Sequence, residues 1–195
     1  MVALAWRALI ACLVLGVGGC GAGKRKDAEA AIARAERMVT GVKDRAEKVV
    51  PDATQALIDS LAAAQRQSAA GDHTLAAITA RQVQADAIEI ANSLAGKSTQ
   101  LSSDFMAFSG QLPPRVERIK SRVRQLAGGR ALPAGMDRAR FDSLAAEVPA
   151  WSDTWKAAVK EFESGNLSAA SVKAHALQRK LDAAESLLGL VPKAG

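Results

Sequence analysis

Side chains able to do covalent or metal chemistry are few in this chain, and they do not converge. There are two histidines, His73 and His175. His73 stands in the turn Gly71-Asp72-His73, and His175 falls off the apolar stripe of the last helical segment, a solvated position. A metal site needs His, Cys or carboxylate ligands brought together. No HExxH occurs, and the two cysteines, Cys12 and Cys20, both sit in the N-terminal apolar region. A serine nucleophile needs a base held against it, and no GxSxG turn is present. Glu161 and Glu163 are close in sequence but point apart on a helix. The glycines of 16–23 belong to the N-terminal segment rather than to a phosphate loop. The expectation is a chain that is not an enzyme, with no cofactor and no metal.

Two groups of residues carry binding chemistry instead. Arg115, Arg118 and Arg122 are spaced i, i+3, i+7, on the side of a helix opposite Val116, Ile119 and Val123. Eight basic residues against two acidic ones lie between residues 115 and 140, so the excess positive charge of the chain is local. A solvated face is one reading of the stripe; contact with an anionic envelope component is the other. Trp151 and Trp155 lie one turn apart on the face that also carries Phe162. The seam places them in the core, and the alternative is a partner or apolar-ligand contact, because tryptophan is enriched at binding hot spots.

Leu13-Val14-Leu15-Gly16-Val17-Gly18-Gly19-Cys20 closes a short apolar run, ends in small residues and stops at a cysteine. The stretch resembles the lipobox of a bacterial lipoprotein signal peptide, with Val17 where leucine is more usual. Residues 1–19 have the parts of a secretory signal: Arg7, an apolar block over 8–17, then small residues. The apolar stretch 8–19 is only 12 residues, against about 20 for a transmembrane span. The resemblance implies that Cys20 becomes a lipidated N-terminus and joins the chain to a membrane outside the cytoplasm. Gly21, where lipoproteins retained at the inner membrane usually carry aspartate, implies the outer membrane facing the periplasm in a host with two membranes. Such a compartment also argues against nucleic acid, the usual partner of a basic stripe.

The mature chain of 176 residues carries a net charge of +5, and is long enough for one domain with a real core. With Cys12 removed and Cys20 lipidated, no thiol remains for a disulfide. Residues 20–26 are expected to form an extended tether whose six residues after Cys20 span about 20 Å at most. Lys24, Arg25 and Lys26 would sit at the headgroups.

From Asp27 onward the pattern is helical. Ala28, Ile32, Ala35, Val39, Val42, Ala46 and Val49 alternate steps of four and three, one seam along a helix. Pro51 interrupts, and the seam resumes at Ala53, Leu57, Leu61 and Ala64, which predicts a bent helix. Gly71-Asp72 ends it, and the next helix runs to Ala95, before Gly96. A further seam, Leu101 to Leu126, keeps its phase across Pro113-Pro114. After a loop around Gly128-Gly129, Asp137 starts a helix that crosses Pro149, and Gly165-Asn166 turns into the last one.

The two turns are 94 residues apart, and the seams around them superimpose at that offset. Leu57, Leu61 and Ala64 match Trp151, Trp155 and Ala158; Ala76, Ala80 and Val83 match Ala170, Ala174 and Leu177. The turns themselves resemble the tetratricopeptide hairpin turn, Gly then Asp or Asn with alanine four later, which implies close helix packing and not a peptide groove. The expectation is an all-α, elongated bundle of about five helices forming a single domain over 27–195. Two duplicated antiparallel hairpins, 27–96 and 137–189, would be joined by a connecting helix over 98–127. The function expected is a non-catalytic scaffold or adaptor for other envelope proteins. The alternative is a binding protein for anionic lipid, glycan or a small apolar ligand.

Overall fold

The apolar seams become helices in the computed structural model, which describes residues 18–129 and 132–190. Residues 1–17, expected as most of a signal peptide with the front of a lipobox-like stretch, lie outside the described residues, as do Arg130 and the side chains of 18–21, Cys20 among them. The protein is an all-α helical bundle, with no strand among the described residues. The helices are α1 (Gly18–Val49), α2 (Pro51–Ala69), α3 (His73–Ala127), α4 (Arg138–Glu147), α5 (Trp151–Glu163) and α6 (Leu167–Leu187), with a 3₁₀ turn, Val148–Ala150, between α4 and α5. Two compact units divide the chain, Met1–Leu94 and Ala95–Gly195, and α3 contributes to both.

Unit 1 is three helices around one core. Val50 adopts φ −136°, ψ 62°, and Pro51 opens α2 at its first position, where its missing N–H costs no helical bond. The chain reverses there: Glu36, well before the proline, accepts from Gln65 Nε2 at 2.7 Å. Residues 73–94 of α3 run parallel to α1, with Arg81 on Asp27 at 2.8 Å and Gln84 Nε2 donating to the Ala31 carbonyl at 2.9 Å. The bend expected within one helix at Pro51 is therefore a full turn between two. Thr54, wholly buried, donates its hydroxyl to the Val50 carbonyl at 2.9 Å and so brings no unpaired polar group into the core.

Unit 2 repeats this order. The rings of Phe162 and Trp155 stack on Phe105, and Lys120 Nζ donates to Ser152 Oγ at 2.6 Å. Rising numbers on α3 thus meet falling numbers on α5. α6 runs parallel to α3: Phe108 meets His175, and Arg115 meets Asp182. Around Pro149 the dihedrals of Glu147, Val148, Ala150 and Trp151 all stay in the right-handed helical region. α4 and α5 therefore follow one another along α6, where Glu147 pairs with Lys180 and Glu161 with Lys173. Here the helix expected to run across Pro149 forms as α4, the 3₁₀ turn and α5 in succession.

The segment 98–127 is not a connector between two hairpins. It is the first helix of unit 2, and it continues without a break from the third helix of unit 1. Gly96 does not end that helix, since its φ is not positive, unlike Gly71 at 90° and Gly165 at 78°. A glycine inside a helix costs about 1 kcal/mol, less than creating two new ends with four unpaired groups each. Pro113 and Pro114 sit inside the same helix. The carbonyls they leave without donors are those of Ser109 and Gly110, both exposed, where water can serve them.

Local structure around the two turns recurs at the 94-residue offset. Five backbone hydrogen bonds recur at that offset around the two turns, among them Asp72 N–H to the Gln67 carbonyl and Asn166 N–H to the Glu161 carbonyl, both 2.9 Å. Each is the long bond that closes a helix on a left-handed glycine. Burial repeats too: Leu57 and Trp151, Ala64 and Ala158, Ala80 and Ala174, Val83 and Leu177, and Leu94 and Leu188 are all core pairs. The repeated element is a three-helix unit rather than a hairpin.

Residues 20–26, expected as an extended tether, are helical and lie in the early turns of α1, which begins at Gly18. Alanine, lysine and arginine favour helix, and Arg25 pairs with Glu29 one turn on, at 2.8 Å. As helix, six residues rise about 9 Å, less than half the extended reach.

Candidate functional site

The residues singled out in the sequence fall in three places. Cys20 lies in the first turns of α1, followed by the exposed side chains of Lys24, Arg25 and Lys26. Gly71 and His73 line a groove of about 580 Å³ beside Arg25, Glu29 and Ile32. A second groove of about 590 Å³ runs from Lys24 past Gly71, Asp72 and His73 to Leu75 and Ile78. Sequence reasoning did not find this neighbourhood, because it depends on the chain reversal at Pro51.

The arginine stripe is only in part a free surface. Arg115 is 18% exposed and clamps Glu185 through Nε at 3.0 Å and Nη2 at 2.6 Å, while Nη2 also meets Asp182. The Glu185 hydrogen bond raises the Arg115 pKa from an already basic value, against the opposing effect of burial, so its charge is permanent. Arg118 reaches the same carboxylate at 4.0 Å but is 59% exposed. Arg122 is half-buried, its Nε enclosed and without a hydrogen-bond partner among the described residues. Arg115 thus joins the first and third helices of unit 2 instead of facing an external anion. The signal that could have shown this was the acid pair Asp182 and Glu185, one turn apart on α6 and off its seam.

The tryptophans are brought into the core of unit 2. Trp151 is 2% exposed. Trp155 is half-buried and stacks on Phe105 with ring centres 5.2 Å apart and planes 11° from parallel; Phe162 packs against the same ring at 4.4 Å and 7°. This geometry is core packing with an added aromatic contribution. Trp151 also lines a groove of about 390 Å³ with Leu144, Ala184 and Leu187, where Arg140, Glu147 and Lys180 supply charge. Its indole N–H is buried without a partner among the described residues.

Glu161 is tied into the turn between α5 and α6. Glu161 accepts from Lys173 Nζ at 2.7 Å and from the Asn166 amide at 3.1 Å, and the Lys173 contact holds its pKa below the ordinary carboxylate value. His175 is exposed and meets the Phe108 ring edge-on at 4.7 Å. Among the described residues, no three His, Cys, Asp or Glu side chains come together to hold a metal ion, and no helix is long and apolar enough to cross a membrane. No protein family, curated protein or solved structure significantly matches this chain.

Proposed function

We propose that the chain is a non-catalytic envelope lipoprotein, anchored through lipid on Cys20, whose helical units serve as a scaffold or adaptor for other envelope proteins. The observation that carries this reading is the stretch from Leu13 to Cys20, an apolar run closed by small residues at a cysteine. Two or three acyl chains at Cys20 hold a protein firmly where one is marginal. The fold supports the adaptor role: two three-helix units, with most of the candidate contact residues committed to internal packing, leave helix surfaces as the binding material. The placement implied by Gly21 is the periplasmic face of an outer membrane.

The ligand-binding alternative draws less support. Arg115 is occupied by Asp182 and Glu185, and Trp155 by Phe105.

In-cell crosslinking of the tagged protein, purification in mild detergent and mass spectrometry test the reading. The expected result is diacylglyceryl-modified Cys20 and a stoichiometric protein partner that is lost in Cys20→Ser. An unmodified Cys20 overturns the lipoprotein reading. A modified chain that elutes with lipid or glycan alone overturns the adaptor role in favour of the alternative.

A further inference from the structure

The first helix of unit 1 begins beside the residue that would carry the lipid, so lipid there would impose a position on that end. α1 is helical from Gly18, and Lys24 lies one helical turn after Cys20, a rise of about 6 Å. Because α2 returns antiparallel and α3 starts beside α1, the Gly71-Asp72 turn and the first turns of α3 share this end, and Lys24 lines one groove with Leu75 and Ile78. Leu75 is 49% and Ile78 56% exposed. Lys24 and Lys26 are exposed and carry no salt bridge among the described residues. Their neighbours Arg25 and Asp27 are paired, with Glu29 and Arg81 respectively. Asp72 is the acidic group on the same groove.

Resting on the lipoprotein reading, we infer that this end of unit 1 is a second membrane contact, for a bilayer bearing anionic headgroups. Leu75 and Ile78 sit at the boundary between headgroups and acyl chains, and Lys24 and Lys26 lie on lipid phosphates. Acyl chains fixed at Cys20 bring the end to headgroup depth, where large apolar side chains gain by leaving water and basic ones gain from surface charge. The contact would set the orientation of unit 1 on the bilayer, which a flexible tether would leave free.

The test uses the full-length protein expressed and lipidated, then reconstituted into vesicles of phosphatidylethanolamine and phosphatidylglycerol. Leu75→Cys and Ile78→Cys each place one thiol at the surface, since Cys20 is capped. Val172→Cys, the counterpart of Ile78 in the repeat and 64% exposed, is the control. Thiols at 75 and 78 are expected to resist a water-soluble maleimide while that at 172 reacts, and mass spectrometry of Cys20 reports the lipid on the same sample. A lipidated chain in which 75 and 78 react as fast as 172 overturns the contact and leaves the lipoprotein reading standing. A chain without lipid overturns both. In the Cys20→Ser protein, Lys24→Gln with Lys26→Gln should weaken vesicle binding roughly 30-fold, about fivefold per lysine charge; an unchanged affinity removes the lysines from the contact.

Discussion

The two units share an order of helices and a turn geometry, yet they fill their cores differently. Of the twelve buried residues in the unit 1 cluster, eight are alanine. The unit 2 cluster is built from Phe105, Phe108, Phe141, Trp151 and leucines, with alanine at only four of eighteen positions. A fully buried Leu or Phe contributes about 1.5–3 kcal/mol, whereas a single methyl contributes about 0.8 kcal/mol. Alanine in turn lets helices approach closely and favours helix by itself. Unit 1 therefore relies on close backbone packing and unit 2 on large side chains. The same three-helix plan can be held together either way.

The contrast can be broken most directly in unit 2. Phe105→Ala removes the ring between Trp155 and Phe162 and should cost about 3–5 kcal/mol in denaturant unfolding; a loss below about 1 kcal/mol would mean the stack is not core. Next in size is the clamp on Arg115. Glu185→Gln leaves that guanidinium short of its carboxylate and should cost about 2 kcal/mol. In unit 1 the pair Asp27–Arg81 joins the corresponding first and third helices, but both side chains are 58% exposed. Asp27→Asn should thus change stability by no more than about 0.5 kcal/mol, and equal costs in the two units would erase the distinction.

Ala80→Leu sharpens the comparison from the other side. Ala80 is wholly buried in the alanine core, and overpacking there should cost about 1–3 kcal/mol. Amide exchange should then accelerate in residues 28–87 more than in residues 105–188. Uniform acceleration would show that the units open together.

The smallest effect is in acid. Glu161 has its pKa lowered by Lys173, so the stability it contributes is complete above the ordinary carboxylate pKa and is lost as pH falls through the depressed one. Its counterpart in unit 1 is Gln67, which does not titrate. NMR titration of the Glu161 carboxyl should report a low midpoint that rises in Lys173→Met. An unmoved midpoint would mean that Lys173 is not the cause.

Much of the fold was legible in the sequence because helix seams and glycine stops are local signals. The helix class, the turns at Gly71 and Gly165 and the cap at Asp137, whose carboxylate accepts from Arg140 N–H at 2.8 Å, all follow from spacing and residue type. The burial of Trp151 followed from its seam. The partners of Arg115 did not, since Asp182 and Glu185 come 67 and 70 residues later and meet it only once α6 lies along α3. The groove joining Lys24 to Leu75 was hidden for the same reason.

Two Val-Pro pairs mark the limit. Both interrupt apolar seams, and in both the seam resumes beyond the proline. Val148 stays helical, at φ −54° and ψ −39°, and α4 passes through the 3₁₀ turn into α5. Val50 swings to ψ 62° and the chain reverses. Proline inside a helix removes one hydrogen bond and discourages helical geometry in the residue before it, at a cost of about 3 kcal/mol that a packed seam can offset. What the sequence by itself determined was that helices are made and where they weaken. Whether a weak point becomes a bend or a turn was decided by which neighbouring helix the following seam could be buried against, and only the tertiary structure contains that choice.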